Sequence, residues 1–273
     1  VTIPDSTTDV PGTASDRPHV WQSTWRPAEG ARSIDLRYLE RDPRTTHRPY
    51  FDPVLRLAAG HRRFDEKLRL LDVGCANGAF VRHVLEQQPR WDVSGIDVLP
   101  ELVDAASAAV PGAHFSVADI CAPSSLPSER FDVVTALTIP SHFDTLDVWL
   151  PNLLGLLAPG GTAVLYGPLN PSPVDLICRL RYAQEDGNGN VNGNGDGEWL
   201  PGWNVISQQT YDSFLKGRAR SWACHYLPVA DLGYPAGDPA DGLSSRVVPT
   251  SDGQRLGNAS GLTYHMACLE IHL

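Results

Sequence analysis

The chain has 273 residues, 42% hydrophobic and 20% charged, enough to bury a sizeable core in one large domain or two small ones. Its 32 acidic and 22 basic residues leave a formal charge of −10, which argues against DNA, RNA or an anionic membrane as partner. The 5 cysteines are odd in number, far apart and without C-x-x-C, which excludes a disulfide framework or zinc site as the expectation and fits a reducing cytoplasm.

Residues 1–18, rich in Ser, Thr, Pro and Asp, are expected to form a disordered arm. They lack the basic and apolar stretches of a secretory signal, and the start without Met reads as trimmed. No run approaches the roughly 18 apolar residues of a membrane span. Residues 19–64 are expected to be a helical lid segment, with Trp21 and Trp25 four apart and Tyr50 beside Phe51. Within it "YFDPVLRLAAGHRRF" has helical apolar spacing.

From residue 65 the pattern becomes regular. "LRLLDVG" reads as a strand, "AFVRHVLEQQ" as a helix, "WDVSGID" as a strand, and "PELVDAASAAV" as a helix closed by Pro111-Gly112. "HFSVADI" and "FDVVTAL" are further strands. "TLDVWLPNLLGLLAPGG" is a helix expected to break at Pro151, and "TAVLYGP" is a fifth strand. Apolar strands alternating with helices predict an α/β, doubly wound, Rossmann-like parallel sheet covered on both faces. Beyond it, "GNGNVNGNGDG" (187–197) is expected to be a flexible loop and "SQQTYDSFLKG" a helix. "SWACHYLPV" and "LTYHMACLEI" are two more strands, separated by an insertion over 230–260 that carries a hairpin around its Asp-Gly pair.

The stretch "LRLLDVGCANGAF" (68–80) is the strongest functional signal. A strand, a glycine turn and a helix present free backbone N–H groups and a positive dipole end to a ligand. Asp97, 19 residues beyond Gly78, sits where an acid accepts hydrogen bonds from ribose hydroxyls. The dinucleotide fingerprint G-x-G-x-x-G fails, because from Gly74 its later glycine positions hold Ala76 and Ala79. The run is instead D-x-G-x-x-x-G, with Asp72, Gly74 and Gly78.

"LDVGCANG", "GIDVLPELV", "VADI", "FDVVTAL" and "LLAPGGTAVL" occur in this order between about residues 65 and 168. Together they resemble the class I S-adenosylmethionine-dependent methyltransferase family. The resemblance implies a seven-stranded sheet of order 3-2-1-4-5-7-6 with strand 7 antiparallel, and a methyltransferase domain over 65–273. It implies that Asp72, Gly74, Cys75 and Ala76, in a loop closed by Gly78, hold the methionine end of S-adenosylmethionine. Asp97 would bind the ribose, Val98 and Leu99 would flank the adenine, and Asp119 and Ile120 would meet its edge. Ala136 and Leu137 would lie by the sulfonium. Ala76 departs from the family's usual glycine.

Methyl transfer needs alignment, exclusion of water and, for some acceptors, a base. His142, in "TIPSHFD" after the fourth strand, is the candidate base, with helix capping as its other role. Tyr166, Asn170 and His225 are candidate substrate contacts, as are Trp21, Trp25 and Tyr50 from the lid. Tyr166 also suits core packing, and Asn170 before Pro171 also suits a turn. No metal is expected. The expected activity is methyl transfer to a small, biosynthetic molecule, with O, N or C as acceptor left open and a homodimer kept open. An NAD(P)-dependent oxidoreductase and a non-catalytic cofactor-binding scaffold subunit are the alternatives.

Overall fold

A computed structural model describes residues 34–60, 67–180, 203–233, 246–251, 253–257 and 263–273, with the backbone of Gln184–Glu185, Val191–Asn192 and Leu200–Pro201. Among the described residues the main sheet has 10 strands, and seven of them form its body: β1 (Arg69–Val73), β2 (Asp92–Asp97), β3 (His114–Val117), β4 (Phe131–Leu137), β5 (Leu157–Asn170), β6 (Ser221–Leu227) and β7 (Thr263–His272). Their order is β3-β2-β1-β4-β5-β7-β6. The first five run parallel, and β7 lies antiparallel between β5 and β6. This is the topology the sequence predicts.

Strand alternation explains the two covered faces. Leu70, Val133 and Val164 belong to one buried cluster, whereas their neighbours Leu71, Val134 and Ala163 belong to another. Among the described residues, five helices pack on the sheet: α1 (Phe51–Ala59), α2 (Ala79–Gln87), α3 (Pro100–Ala109), α4 (Leu150–Gly155) and α5 (Gln208–Leu215). The Ser207 hydroxyl caps α5 by accepting from the Thr210 amide at 3.2 Å. Pro151 does not break its helix. It occupies the first turn of α4, where a missing N–H loses no bond and the fixed φ favours helix.

β5 runs well past the expected "TAVLYGP". Once β4 has ended, Ile206–Ser207 continues its place by pairing in parallel with Leu169 and Asn170. The predicted hairpin appears as Arg246–Thr250 against Gly253–Gly257, joined to the start of β7 through Leu256 and Tyr264. Inside the expected 187–197 loop, Val191–Asn192 pairs with Gln184–Glu185. The arm over 1–18 and both lid tryptophans, Trp21 and Trp25, lie outside the described residues. Among the described residues no helix is long and apolar enough to cross a membrane.

Candidate active site

A pocket opens at the carboxyl ends of β1, β2 and β4, where the crossovers of a doubly wound sheet diverge. Its floor is the turn from β1 into α2. Gly74 has φ 74°, and its amide and that of Cys75 both donate to the Ile96 carbonyl, at 2.8 and 3.0 Å. This ties the turn to β2. Gly78, with φ 82°, is the N-cap of α2, and a Cβ there would sit 3.1 Å from Ala106 Cβ and 3.2 Å from Phe115 Cζ. Both the backbone angle and the close approach of α3 and β3 therefore demand glycine. The first helical bond runs from the Arg82 amide to the Gly78 carbonyl at 2.9 Å. The amides of Ala79 and Phe80, two pocket-lining residues, precede that ladder.

Ala76 has φ 48°, a left-handed conformation that strains a residue with a Cβ. It is held by its amide, which donates to Asp97 Oδ2 at 2.9 Å. The other oxygen, Asp97 Oδ1, accepts from the Leu99 amide at 3.0 Å. These two N–H groups orient the carboxylate at the end of β2. Asp72, 2% exposed, accepts from Thr135 Oγ1 at 2.7 Å. Burial pushes its carboxyl up to about 7; the Thr135 bond opposes that rise and the Asp97 charge adds to it. A third acid, Asp119, is half-buried, and its Oδ1 accepts from the Cys121 amide at 2.8 Å. Burial and the Asp97 and Asp72 charges hold the Cys75 thiol well above its ordinary value, so it stays protonated.

The pocket brings together Asp72, Gly74, Cys75, Ala76, Asp97, Val98, Asp119, Ile120, Leu137, His142 and Tyr50 from the sequence reading. His142 is half-buried, and burial depresses its imidazole to about 4 against a partial lift from Asp97. It is neutral at pH 7. Three cofactor candidates do not line the pocket. Gly78 serves as the helix cap, Leu99 acts through its amide on Asp97, and Ala136 is fully buried in β4 between Val73 and Leu165.

Three substrate candidates are not among the residues that line this pocket. Tyr166 is fully buried beneath Tyr50, its ring stacked at 4.1 Å and 17°, so it supports the wall and does not line the pocket. Asn170 closes a turn, donating to the Val174 carbonyl at 2.8 Å and accepting from the Ser172 amide at 3.0 Å. His225 lies on edge strand β6 with Nε2 2.9 Å from Glu270 Oε2, away from the parallel strand ends that form the pocket. Sequence reasoning overlooked Tyr38, Asn77, Thr138 and Ile139, all pocket residues, and Thr135 behind Asp72. Thr135 left a signal as the hydroxyl in apolar "FDVVTAL"; Tyr38 left none in its scattered surroundings. Among the described residues, no group of three or more His, Cys, Asp or Glu could hold a metal ion.

Residues 71–163 match a family model described as "Methyltransferase domain". The trans-aconitate 2-methyltransferase of Streptomyces avermitilis is 30% identical over 155 residues, 54% of this chain and 52% of that protein. The ubiquinone biosynthesis O-methyltransferase of Rickettsia felis is 25% identical over 165 residues, 60% of this chain and 61% of that protein. The chain thus spans about half the length of the curated relatives it matches. The solved "DhpI-SAH complex structure" has the same fold, with a TM-score of 0.50 at 14% identity over 92% of this chain and 94% of that one. Sheet order, glycine turn and ordered motifs agree with the match: residues 71–163 are similar to a methyltransferase domain, on a sheet of the fold seen in the solved complex.

Proposed function

We propose that the protein transfers a methyl group from S-adenosylmethionine to a small organic molecule, within a methyltransferase domain over 65–273. The observation that carries this reading is the charge of the pocket. Asp72, Asp97 and Asp119 line it, and among the described residues no Lys or Arg does. Such a lining suits a ligand with cationic groups and opposes a pyrophosphate, which disfavours the NAD(P) alternative. The adenosyl donor fits the residues present. Asp97, oriented by two amides at the end of β2, would accept from the ribose hydroxyls. Val98, Leu102 and Ile120, which line the pocket with Asp119, would flank the adenine, and Asp119 would accept from its amino group. Asp72 and the loop amides suit the amino acid end.

When bound, the donor supplies a methyl group already activated on a sulfonium. The chain's own residues have to align the acceptor, exclude water and take a proton where the acceptor carries one. Tyr38, Tyr50, Phe51 and Phe143 give the pocket an aromatic wall, and His142, neutral at pH 7, has the form of a proton acceptor. A cytoplasmic setting, supported by five free thiols, and small-molecule rather than nucleic-acid partners belong to the same reading.

Calorimetry with S-adenosylhomocysteine and with NAD tests it. Binding of S-adenosylhomocysteine is expected and binding of NAD is not. Asp97→Ala should weaken the former by about 1–3 kcal/mol, roughly 5- to 150-fold, the scale of losing charge-assisted hydrogen bonds. Unchanged affinity in that variant would reject the ribose assignment, and tight NAD binding would reject the function.

A further inference from the structure

Asn77 sits within the glycine turn, yet its side chain serves another segment. It is 3% exposed, and Nδ2 donates to the Tyr38 carbonyl at 2.7 Å and the Arg41 carbonyl at 2.9 Å. Both hydrogens of the amide are therefore used on backbone far upstream. Those carbonyls lie at and just beyond the end of the 3-10 turn Ile34–Glu40, and the Tyr38 carbonyl also accepts from the Arg41 amide at 3.3 Å.

The turn's own geometry sets this direction. Asn77 is flanked by two left-handed residues, Ala76 and Gly78, and the Ala76 amide is fixed on Asp97. Further along α2, Arg82 Nε donates to the Pro43 carbonyl at 2.8 Å, and His83 Nε2 lies 3.1 Å from Asp52 Oδ1. Residues 38–52 are thus fastened to the turn and its helix at several points. Tyr38 and Tyr50, near the two ends of that stretch, both line the pocket.

We propose that Asn77 is a positioning residue, which makes the placing of Tyr38 and Tyr50 on the pocket wall depend on the conformation of the turn that holds the methyl donor. The inference rests on the donor reading above. An apolar residue would fill the same space but take this donor from the Arg41 carbonyl and leave the Tyr38 carbonyl with the longer, 3.3 Å bond from the Arg41 amide. Asn77 instead joins two parts of one pocket that are distant in sequence: the turn beside Asp97 and the aromatic wall. Coupling of this kind is reciprocal: if filling the turn orders the wall, ordering the wall tightens the grip of the turn by the same factor.

Hydrogen exchange of the full chain, with and without saturating S-adenosylhomocysteine, tests the proposal, with affinity measured in parallel by calorimetry. In the unaltered protein the ligand should slow exchange of the amides over 38–46 by about tenfold or more. In Asn77→Ala the ligand should still bind, about 3- to 10-fold more weakly, and the ligand-dependent slowing over 38–46 should vanish. Asn77→Leu keeps the branched shape while removing both donors and should behave alike, which covers a failure of the alanine variant to fold. Slowing that persists in both variants would overturn the proposal. So would ligand binding to the unaltered protein with no change over 38–46, or complete loss of binding in a folded variant. If the unaltered protein does not bind the ligand at all, the donor reading fails first, and calorimetry shows this separately.

Discussion

Asp72→Asn is the substitution for which the structure sets folding against binding most sharply. Asp72 is 2% exposed, its hydrogen bond comes from Thr135, and Asp97 is a second negative neighbour. Its carboxyl moves from 3.8 to about 7, with burial as the main cause. A folded-state value above the unfolded one means the folded chain binds the extra proton. The associated stability is fully present below about pH 3.8, and it is lost as pH rises through about 7. Each pH unit in that window is worth about 1.4 kcal/mol, so ionising the buried group costs about 4 kcal/mol at the ceiling.

The side-chain amide introduced by Asp72→Asn would be uncharged at every pH but would bring two buried N–H groups in search of acceptors, at about 1–3 kcal/mol. That penalty does not depend on pH, so differencing removes it. Between pH 5 and pH 8, the stability of Asp72→Asn relative to the unaltered protein should rise by about 3 kcal/mol. Urea unfolding followed by the fluorescence of the 7 tryptophans at both pH values measures this. The same variant should bind S-adenosylhomocysteine at least tenfold more weakly, having lost the charge facing its ammonium. A pH-independent difference in stability would show that Asp72 does not titrate in this range and would refute the reasoning.

Two further substitutions probe neighbouring features. Ala76→Gly relieves a left-handed alanine, worth about 1–2 kcal/mol, against about 0.5–1 kcal/mol of added chain entropy, so thermal unfolding should rise by about 2 °C; a fall would show that the alanine methyl makes a contact worth more than the strain. His142→Ala should lower turnover about 100-fold or more with donor affinity unchanged, and the acid limb of the unaltered protein should lie near 4, where burial holds the imidazole. A limb near 6.5 that this variant abolishes would contradict the depressed imidazole.

The sheet was legible because its signals are local and repeated. Runs such as "LRLLDVG" and "FDVVTAL" declare buried strands, and glycine and proline punctuate them. Pro151 misled because proline disrupts a helix interior yet suits a first turn, and only the observed start at Leu150 distinguishes the two. Residues at the strand ends, Asp72, Asp97 and Leu137, were legible from their place in the motifs and do line the pocket. The other wall was harder, since the direction of a side chain from one segment toward a distant one has no local signature. Asn170 and His225 were spent on a turn and on Glu270, partners that spacing does not reveal. Tyr166 needed the knowledge that Tyr50 lies over it.

A strand, a tight glycine turn and a helix N-terminus make a general cradle for anions, through free amides and the helix dipole. In this chain two carboxylates change its preference. Asp72 enters from beneath, near the end of β1, and Asp97 enters from the side, pinned by the very amide of Ala76 that would otherwise be available to a phosphate oxygen. The strained φ of Ala76 and the raised carboxyl of Asp72 fall within five residues of each other, in keeping with strain and unfavourable charge being retained where a ligand relieves them. A cation placed there would favour the ionised form of Asp72 and so lower the pH at which it loses its proton; an anion would do the reverse. On the proposed function, glycine spacing would specify a site for some nucleotide-like ligand, and the sign of the charge beneath the turn would favour an adenosyl sulfonium over a pyrophosphate.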